Sequence, residues 1–282
     1  MPTDMAKRTT RDYTVKLADQ ARIIDPDRIK QPAFVLLQRY ESMDGPPHQH
    51  RKGQLFYAHE GVVRVETDAG IWIVPPQRGV WLPPGFVHRG VSQRSFTLCT
   101  LYLDARLTKT LPKHCCTVAI TPLVRELLLR AATYGWRYPK IGSQARLLSV
   151  LIEQLPELPH TPLHLPEPAD RRLRTITAAL RAKPASNETL DELSQRVGAS
   201  SRTLARLFLK ETRLTFALWR QQLRLLVALE ALAHGESVTA AALDVGYQDT
   251  SAFIAMFRQA LGVTPGRYFE NVQPPAARKA AE

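Results

Sequence analysis

Three cysteines in 282 residues leave no disulfide framework to build on. Cys99 stands alone and Cys115 adjoins Cys116, so no CxxC pair exists. Reduced, partly buried thiols of a cytoplasmic protein account for them most simply. The opening stretch, MPTDMAKRTTRDY, lacks the apolar core of a secretory signal. No run of apolar residues approaches the ~20 needed to span a bilayer, so no membrane partner is expected. No nucleophile–base pair and no pair of carboxylates stands at a spacing above chance, which argues against an enzyme.

Positive charge, by contrast, is in excess. The formal charge of +12 and a pI near 9.9 suit a polyanionic partner, although a solvated basic surface would read the same way. The excess is spread over both halves: residues 170–282 carry a net +5 and residues 1–169 a net +7. Charge alone therefore does not identify the partner. The length suits two domains, each able to bury its own core.

The clearest organisation lies between Thr189 and Phe269, where one helix-turn-helix is written twice. Thr189 begins T-L-D-E, a capping box in which Glu192 reaches back to the capping backbone. Leu190, Leu193 and Val197 then form an apolar stripe, and Gly198 ends the helix. Ser200 caps a second helix, Ser201 to Glu211, that buries Leu204, Leu207 and Phe208. In the second copy Ser237 opens a helix, Gly246 closes it, and Asp249 caps the next. Phe253, Met256, Phe257, Ala260 and Leu261 supply its inner face. Ser237 and Gly246 lie 48 residues beyond their counterparts, and Phe253 and Phe257 lie 49 beyond theirs. Two copies are too few for a solenoid.

Thr215 to Ala233, free of Gly and Pro, reads as one helix with Phe216, Trp219, Leu223 and Leu226 inward. It would span roughly 28 Å, which would set two reading helices about one DNA turn, roughly 34 Å, apart. The stretch SAFIAMFRQALGVTPGRY (Ser251 to Tyr268) resembles the signature of AraC/XylS transcription regulators. Arg224-x-x-x-Ala228 and Gly246-Tyr247 are also similar to that family, and the resemblance covers about 100 residues. Two positions depart from it. Arg213 stands where the family commonly has Gly, and Phe269 where it commonly has Arg.

On the first reading helix the face opposite the core holds Ser201, Arg202, Ala205, Arg206 and Lys210. Arg202 and Arg206 are one turn apart, and each can fork onto guanine O6 and N7; a phosphate-facing or solvated arginine is the alternative. By resemblance these are base-reading positions. The second reading helix offers Gln248, Thr250, Ser251, Ile254 and Ala255, with no basic residue before Arg258. The first copy is thus expected to discriminate sequence, the second to add phosphate, thymine-methyl and shape contacts.

From Ala33 to about Leu103 short apolar runs alternate with Gly and Pro, the pattern of an antiparallel sandwich or barrel. The segment from Gly45 contains His48-Gln49-His50 and continues to Gln54 and Gly61, and Pro83-Pro84-Gly85-Phe86-Val87-His88 follows later. Over about 70 residues these resemble the two cupin motifs, with Gln54 in place of the usual Glu. The resemblance implies an effector-sensing, cupin-like barrel with His48, His50, Gln54 and His88 at its ligand site. Three imidazoles could also hold Fe, Mn, Ni or Zn, although Gln54 supplies no anionic charge. Trp72 and Trp81 read as core.

Beyond Lys113 the alternation stops, and Thr121 to Tyr134 and Ser143 to Leu155 read as amphipathic helices. Leu123, Leu127 and Leu128 on the first, and Leu147, Leu148, Leu151, Ile152 and Leu155 on the second, would form their apolar faces. They would cover the barrel or, as the resemblance implies, form a homodimer through Leu147 and Leu151. Five prolines between Pro156 and Pro168 predict a semi-rigid linker, neither helix nor central strand.

The expected architecture is α+β. A flexible arm (1–25) leads to the barrel (26–110), its helices (111–155) and the linker (156–169). An all-α DNA-binding domain (170–272) and a tail (273–282) complete the chain. The expected function is a cytoplasmic, effector-responsive regulator, an activator or repressor that binds double-stranded DNA as a dimer. By resemblance it would control a neighbouring transporter or catabolic gene. Two competing readings remain: a metal-dependent cupin enzyme carrying a DNA-binding domain, and a constitutive DNA-binding protein whose barrel only dimerises.

Overall fold

The computed structural model describes residues 15–16, 24–161 and 163–270. Twelve strands among them form two sheets. The first seven are β1 (Val15–Lys16), β2 (Ala33–Tyr40), β3 (Met43–Asp44), β4 (Gly53–Glu60), β5 (Val63–Thr67), β6 (Gly70–Val74) and β7 (Arg78–Leu82). They are followed by β8 (Arg89–Ser92), β9 (Phe96–Leu103), β10 (Cys116–Ala119), β11 (His160–Thr161) and β12 (His164–Pro166). One sheet runs β1-β2-β9-β4-β7-β10-β11 and the other β12-β6-β5-β8-β3. The expected barrel is therefore a pair of packed sheets, not a closed ring.

Side-chain period 2 divides the central strands between two cores. On β4, Leu55 and Tyr57 face the helices, whereas Phe56 and Ala58 face the second sheet. On β9, Cys99, Leu101 and Leu103 face the helices, with Phe96 and Leu98 on the other side. Both faces being covered, β9 is buried along its whole length, with only Thr97 and Thr100 interrupting its apolar run. Helices α1 (Pro122–Ala132) and α2 (Ser143–Gln154) supply the outer cover.

Four expectations for this half need correction. Cys116–Ala119, within the predicted helical segment, is a strand paired with β7. In the arm expected to be flexible, Val15 and Lys16 pair in parallel with β2; residues 1–14 and 17–23 lie outside the described residues. Part of the proline-rich segment is built into the sheets, because β11 extends one sheet and β12 the other. Proline is tolerated there because both are edge strands, where Pro166 need not donate to an inner ladder. Finally, Leu123 is 54 % exposed and Leu151 is fully buried. The inner face of α1 is Val124, Leu128 and Ala131, so Leu151 belongs to the core and is not available to a dimer contact.

The C-terminal half is helical: α3 (Arg171–Ala182), α4 (Leu190–Arg196), α5 (Ser201–Thr212), α6 (Phe216–Ala233), α7 (Val238–Asp244), α8 (Thr250–Leu261) and α9 (Pro265–Glu270). Both halves of the Thr189–Glu192 capping box form, and Ser200, Thr215, Ser237 and Asp249 each cap the helix that follows. Gly198 and Gly246 take φ of +63° and +85° just past their helices. Gly246 is needed for a second reason, since a Cβ there would lie 2.7 Å from the Ala185 carbonyl oxygen.

Arg213, in the family's glycine position, adopts φ +61°. A left-handed side-chain residue costs about 1–2 kcal/mol, partly offset by the ~0.5–1 kcal/mol of unfolded-state freedom that glycine adds. Arg213→Gly is therefore expected to raise stability by a few tenths to about 1 kcal/mol in urea unfolding. A variant no more stable than wild type would mean the cap is unstrained.

The two halves share a core. Val62, Ile73, Leu163 and Leu165 pack into the cluster built on Trp219, Phe208 and Leu223. The Trp219 indole N–H donates to Pro166 O (2.9 Å) and the Tyr268 hydroxyl to Pro76 O (3.0 Å). Glu167 accepts both guanidinium nitrogens of Arg181 (2.7 and 3.2 Å). Between the halves lies an open cleft of about 350 Å³, lined in part by Arg64, Arg94, Glu230 and His234. Burial raises the Glu230 carboxyl above its ordinary range.

Candidate functional site

Helix α5 buries Leu204, Phe208 and Thr212 and leaves Arg202, Ala205, Arg206 and Lys210 exposed, with Ser201 half-buried beside its cap. Neither Arg202 nor Arg206 is engaged in an ion pair among the described residues. Their guanidinium groups thus remain available to an external acceptor.

On α8, Ser251, Ala255 and Arg258 are exposed, as is Gln248 just before the helix, while Thr250 is half-buried. Ile254 is also only partly exposed and packs on the core, so it leaves the expected outer face. Phe269 likewise turns inward, its ring 5.0 Å from that of Tyr268.

The scaffold behind these helices has a hub that spacing alone does not disclose. Arg224 on α6 donates to Pro184 O (3.2 Å), Ser186 O (3.0 Å) and Asn187 Oδ1 (2.8 Å), and lies over the Tyr247 ring at 5.7 Å. The loop before α4, the linker helix and the turn of the second unit are thereby joined at one side chain. Arg224 and Gly246-Tyr247 are thus explained by packing: both close on residues 184–187.

In the N-terminal half two loops, one before β4 and one before β8, are bound together by backbone. His48 and His88 exchange N–H···O bonds of 2.9 and 2.8 Å, and Gly85 N–H donates to His50 O at 2.7 Å. This brings the three imidazoles together, with ring centroids 4.6, 4.9 and 5.7 Å apart. One nitrogen of each lies within 4.8 Å of the others.

Two of the rings are oriented by carbonyls. His48 Nδ1 lies 3.0 Å from Pro46 O and His88 Nδ1 2.8 Å from Phe86 O. A carbonyl only accepts, so each Nδ1 carries a proton, and in the neutral imidazole each Nε2 then keeps its lone pair. His88 Nε2 is buried without a hydrogen-bond partner among the described residues. Burial, chiefly, lowers the His88 pKa to about 4, with help from His48 and His50 and against the bond to Phe86. The His50 pKa is also lowered, first by burial and then by His48, while Asp27 and Asp25 act in the opposite sense.

Neutral imidazoles with free lone pairs are the form that ligates a divalent transition metal, and the oriented Nδ1–H is the usual support of such a ligand. The three histidines therefore fit a metal ion. Gln54 is buried at 2 % exposure, opposite Tyr102 across the sheet. Trp72 and Trp81 are core, at 2 % and 3 % exposure.

A second group near His50 has no signature in the motif. Asp25 and Asp27, on the short turn before β2, place carboxylate oxygens within 4.8 Å of a His50 ring nitrogen. They precede the histidine motif by more than 20 residues, and only the fold brings them to it.

Comparison with known proteins agrees with this architecture. Residues 32–116 match the model of an AraC-like ligand binding domain, and residues 193–271 match that of a helix-turn-helix domain. The chain is 38 % identical over 259 residues to the HTH-type transcriptional regulator NimR of Escherichia coli, spanning 90 % of this chain and 94 % of that one. It is 39 % identical over 103 residues to the HTH-type transcriptional regulator RipA of Corynebacterium glutamicum, covering 36 % of this chain and 31 % of RipA. Among solved structures, ToxT of Vibrio cholerae aligns over 86 % of this chain and 98 % of its own, at 11 % identity and a TM-score of 0.38. The chain belongs to the AraC family of transcriptional regulators, with a ligand-binding domain ahead of a helix-turn-helix DNA-binding domain.

Proposed function

We propose that this regulator reads its operator mainly through Arg202 and Arg206 of α5, and that α8 follows with phosphate, methyl and shape contacts. The observation that carries this reading is the asymmetry between the two helices. One presents paired arginines to solvent, whereas the other presents Gln248, Thr250, Ser251 and Ala255, and no basic residue before Arg258. Ser201 and Lys210 flank the arginines as backbone contacts. Footprint titrations on an operator test it. Arg206→Ala should cost about 1–3 kcal/mol and relax the preference at one base, with Thr250→Ala costing less. The reverse order would refute the assignment.

The effector site lies where His48, His50 and His88 converge, with Gln54 in the sheet behind them. These histidines would hold a divalent metal. Bound there, the ion would supply a Lewis-acidic anchor for an oxygen- or nitrogen-bearing effector. A cytoplasmic location and control of a neighbouring transporter or catabolic gene follow from the family reading. No helix among the described residues is long and apolar enough to cross a membrane. Homodimerisation would use the outer faces of α1 and α2, where Leu123 and Val150 are 54 % and 43 % exposed. A metal-dependent enzyme fused to a DNA-binding domain is the second reading. Turnover by metal-loaded protein would be its sign.

A further inference from the structure

His48 and His88 each have a carbonyl two residues upstream to orient the ring. His50 does not. The equivalent carbonyl, His48 O, accepts the His88 N–H at 2.8 Å and makes no bond to the His50 ring. No hydrogen bond to the His50 ring occurs among the described residues. What stands beside that ring instead is the pair of carboxylates on the turn Pro26–Arg28 and its cap.

That turn is held in place. Asp25 caps it through Asp27 N–H (3.0 Å), Pro26 is buried, and both Asp27 oxygens accept the Arg51 N–H (3.0 and 2.9 Å). The carboxylates are therefore fixed relative to the histidine loop rather than waving in solvent. Arg51 and Arg28 pair with them at 3.6 and 3.2 Å, but these two side chains are 84 % and 88 % exposed, so water screens their opposition.

We propose that Asp25 and Asp27 are positioning residues of a divalent transition-metal site formed by His48, His50 and His88. They orient His50 and supply the negative charge that Gln54 cannot. The inference rests on reading the three histidines as metal-holding. The independent sign of a ligand is His88 Nε2, buried and unpartnered within the histidine cluster. Three neutral imidazoles leave a dication uncompensated, and a carboxylate behind an imidazole raises its basicity as a ligand. The all-imidazole ligand set favours Zn²⁺, Ni²⁺ or Co²⁺ over Mg²⁺ or Ca²⁺.

The test titrates full-length, chelator-stripped protein with Co²⁺, read by its visible absorption, and then displaces it with Zn²⁺. Wild type should bind one Co²⁺ per chain, and His48→Ala should lose at least about 100-fold in affinity. The double variant Asp25→Asn/Asp27→Asn should lose about 10–100-fold, with its metal-free unfolding midpoint unchanged. Glu41→Gln, an exposed carboxylate elsewhere, should change nothing. Because Asp27 also anchors Arg51, Asp25→Asn alone is measured beside the double variant and should by itself show part of the loss. Wild-type affinity in both variants would overturn the role of the carboxylates and leave the three-histidine site standing. No Co²⁺ bound to wild type would overturn both, without touching the assignment of α5 to DNA.

Discussion

Trp219→Ala is expected to remove about 3–5 kcal/mol of stability, the range for deleting a large buried aromatic. Trp219 has no exposed surface, meets Phe208 edge-on at 6.0 Å, and donates its indole N–H to Pro166 O. Alanine would leave a void where the domains join and strip that carbonyl of its donor. Trp219→Phe separates the two effects: it keeps most of the packing and should cost about 1–2 kcal/mol, largely from the unmet carbonyl. Urea unfolding followed by far-UV dichroism gives both numbers. A loss below about 1 kcal/mol for the alanine variant would show that Trp219 does not hold the halves together, since ordinary surface substitutions fall within about 0.5 kcal/mol.

The second large effect is on DNA. Replacing both Arg202 and Arg206 by alanine should lower operator affinity by about two to six kcal/mol if each contributes the ~1–3 kcal/mol of a good bidentate base contact. Both sites are exposed, so stability should hardly change. Binding to unrelated DNA should fall much less, because that residual affinity comes from phosphate neutralisation by the other basic residues. An equal loss on operator and unrelated DNA would recast the two arginines as phosphate contacts. The ratio of the two affinities therefore decides between base reading and backbone contact.

The C-terminal half was legible because its signals are local. Thr189 with Glu192, Ser200, Ser237 and Asp249 cap helices within one turn of themselves, and Gly198 and Gly246 mark the stops. The strands β10, β11 and β12 were not legible, since they are two to four residues long and exist only by pairing with distant partners. For the same reason five prolines read as a spacer, whereas His160–Thr161 and His164–Pro166 within that stretch edge the sheets. On α1 Leu127 and Leu128 face the core as expected, but Leu123 does not, and Val124 and Ala131 turn inward beside them.

In the N-terminal half the histidines stood in short motifs and could be singled out. Their orientation could not, because it depends on the carbonyls of Pro46 and Phe86 and on two loops bridging each other. Asp25 and Asp27 carried no signal at all, because the link of Asp27 to Arg51 is made by the fold, not by spacing. Arg224 lay between these cases. Its place in a family pattern was visible, but its bonds to the residue 184–187 loop were not.

The most direct measurement is fluorescence-anisotropy binding of the full-length protein to the DNA immediately upstream of its own gene, beside a scrambled duplex, across a salt series. Tight binding to the upstream DNA is expected, with at least about 1,000-fold weaker binding to the scrambled one and a steep fall in affinity with salt. Equal affinity for both duplexes, or none for either, would contradict it.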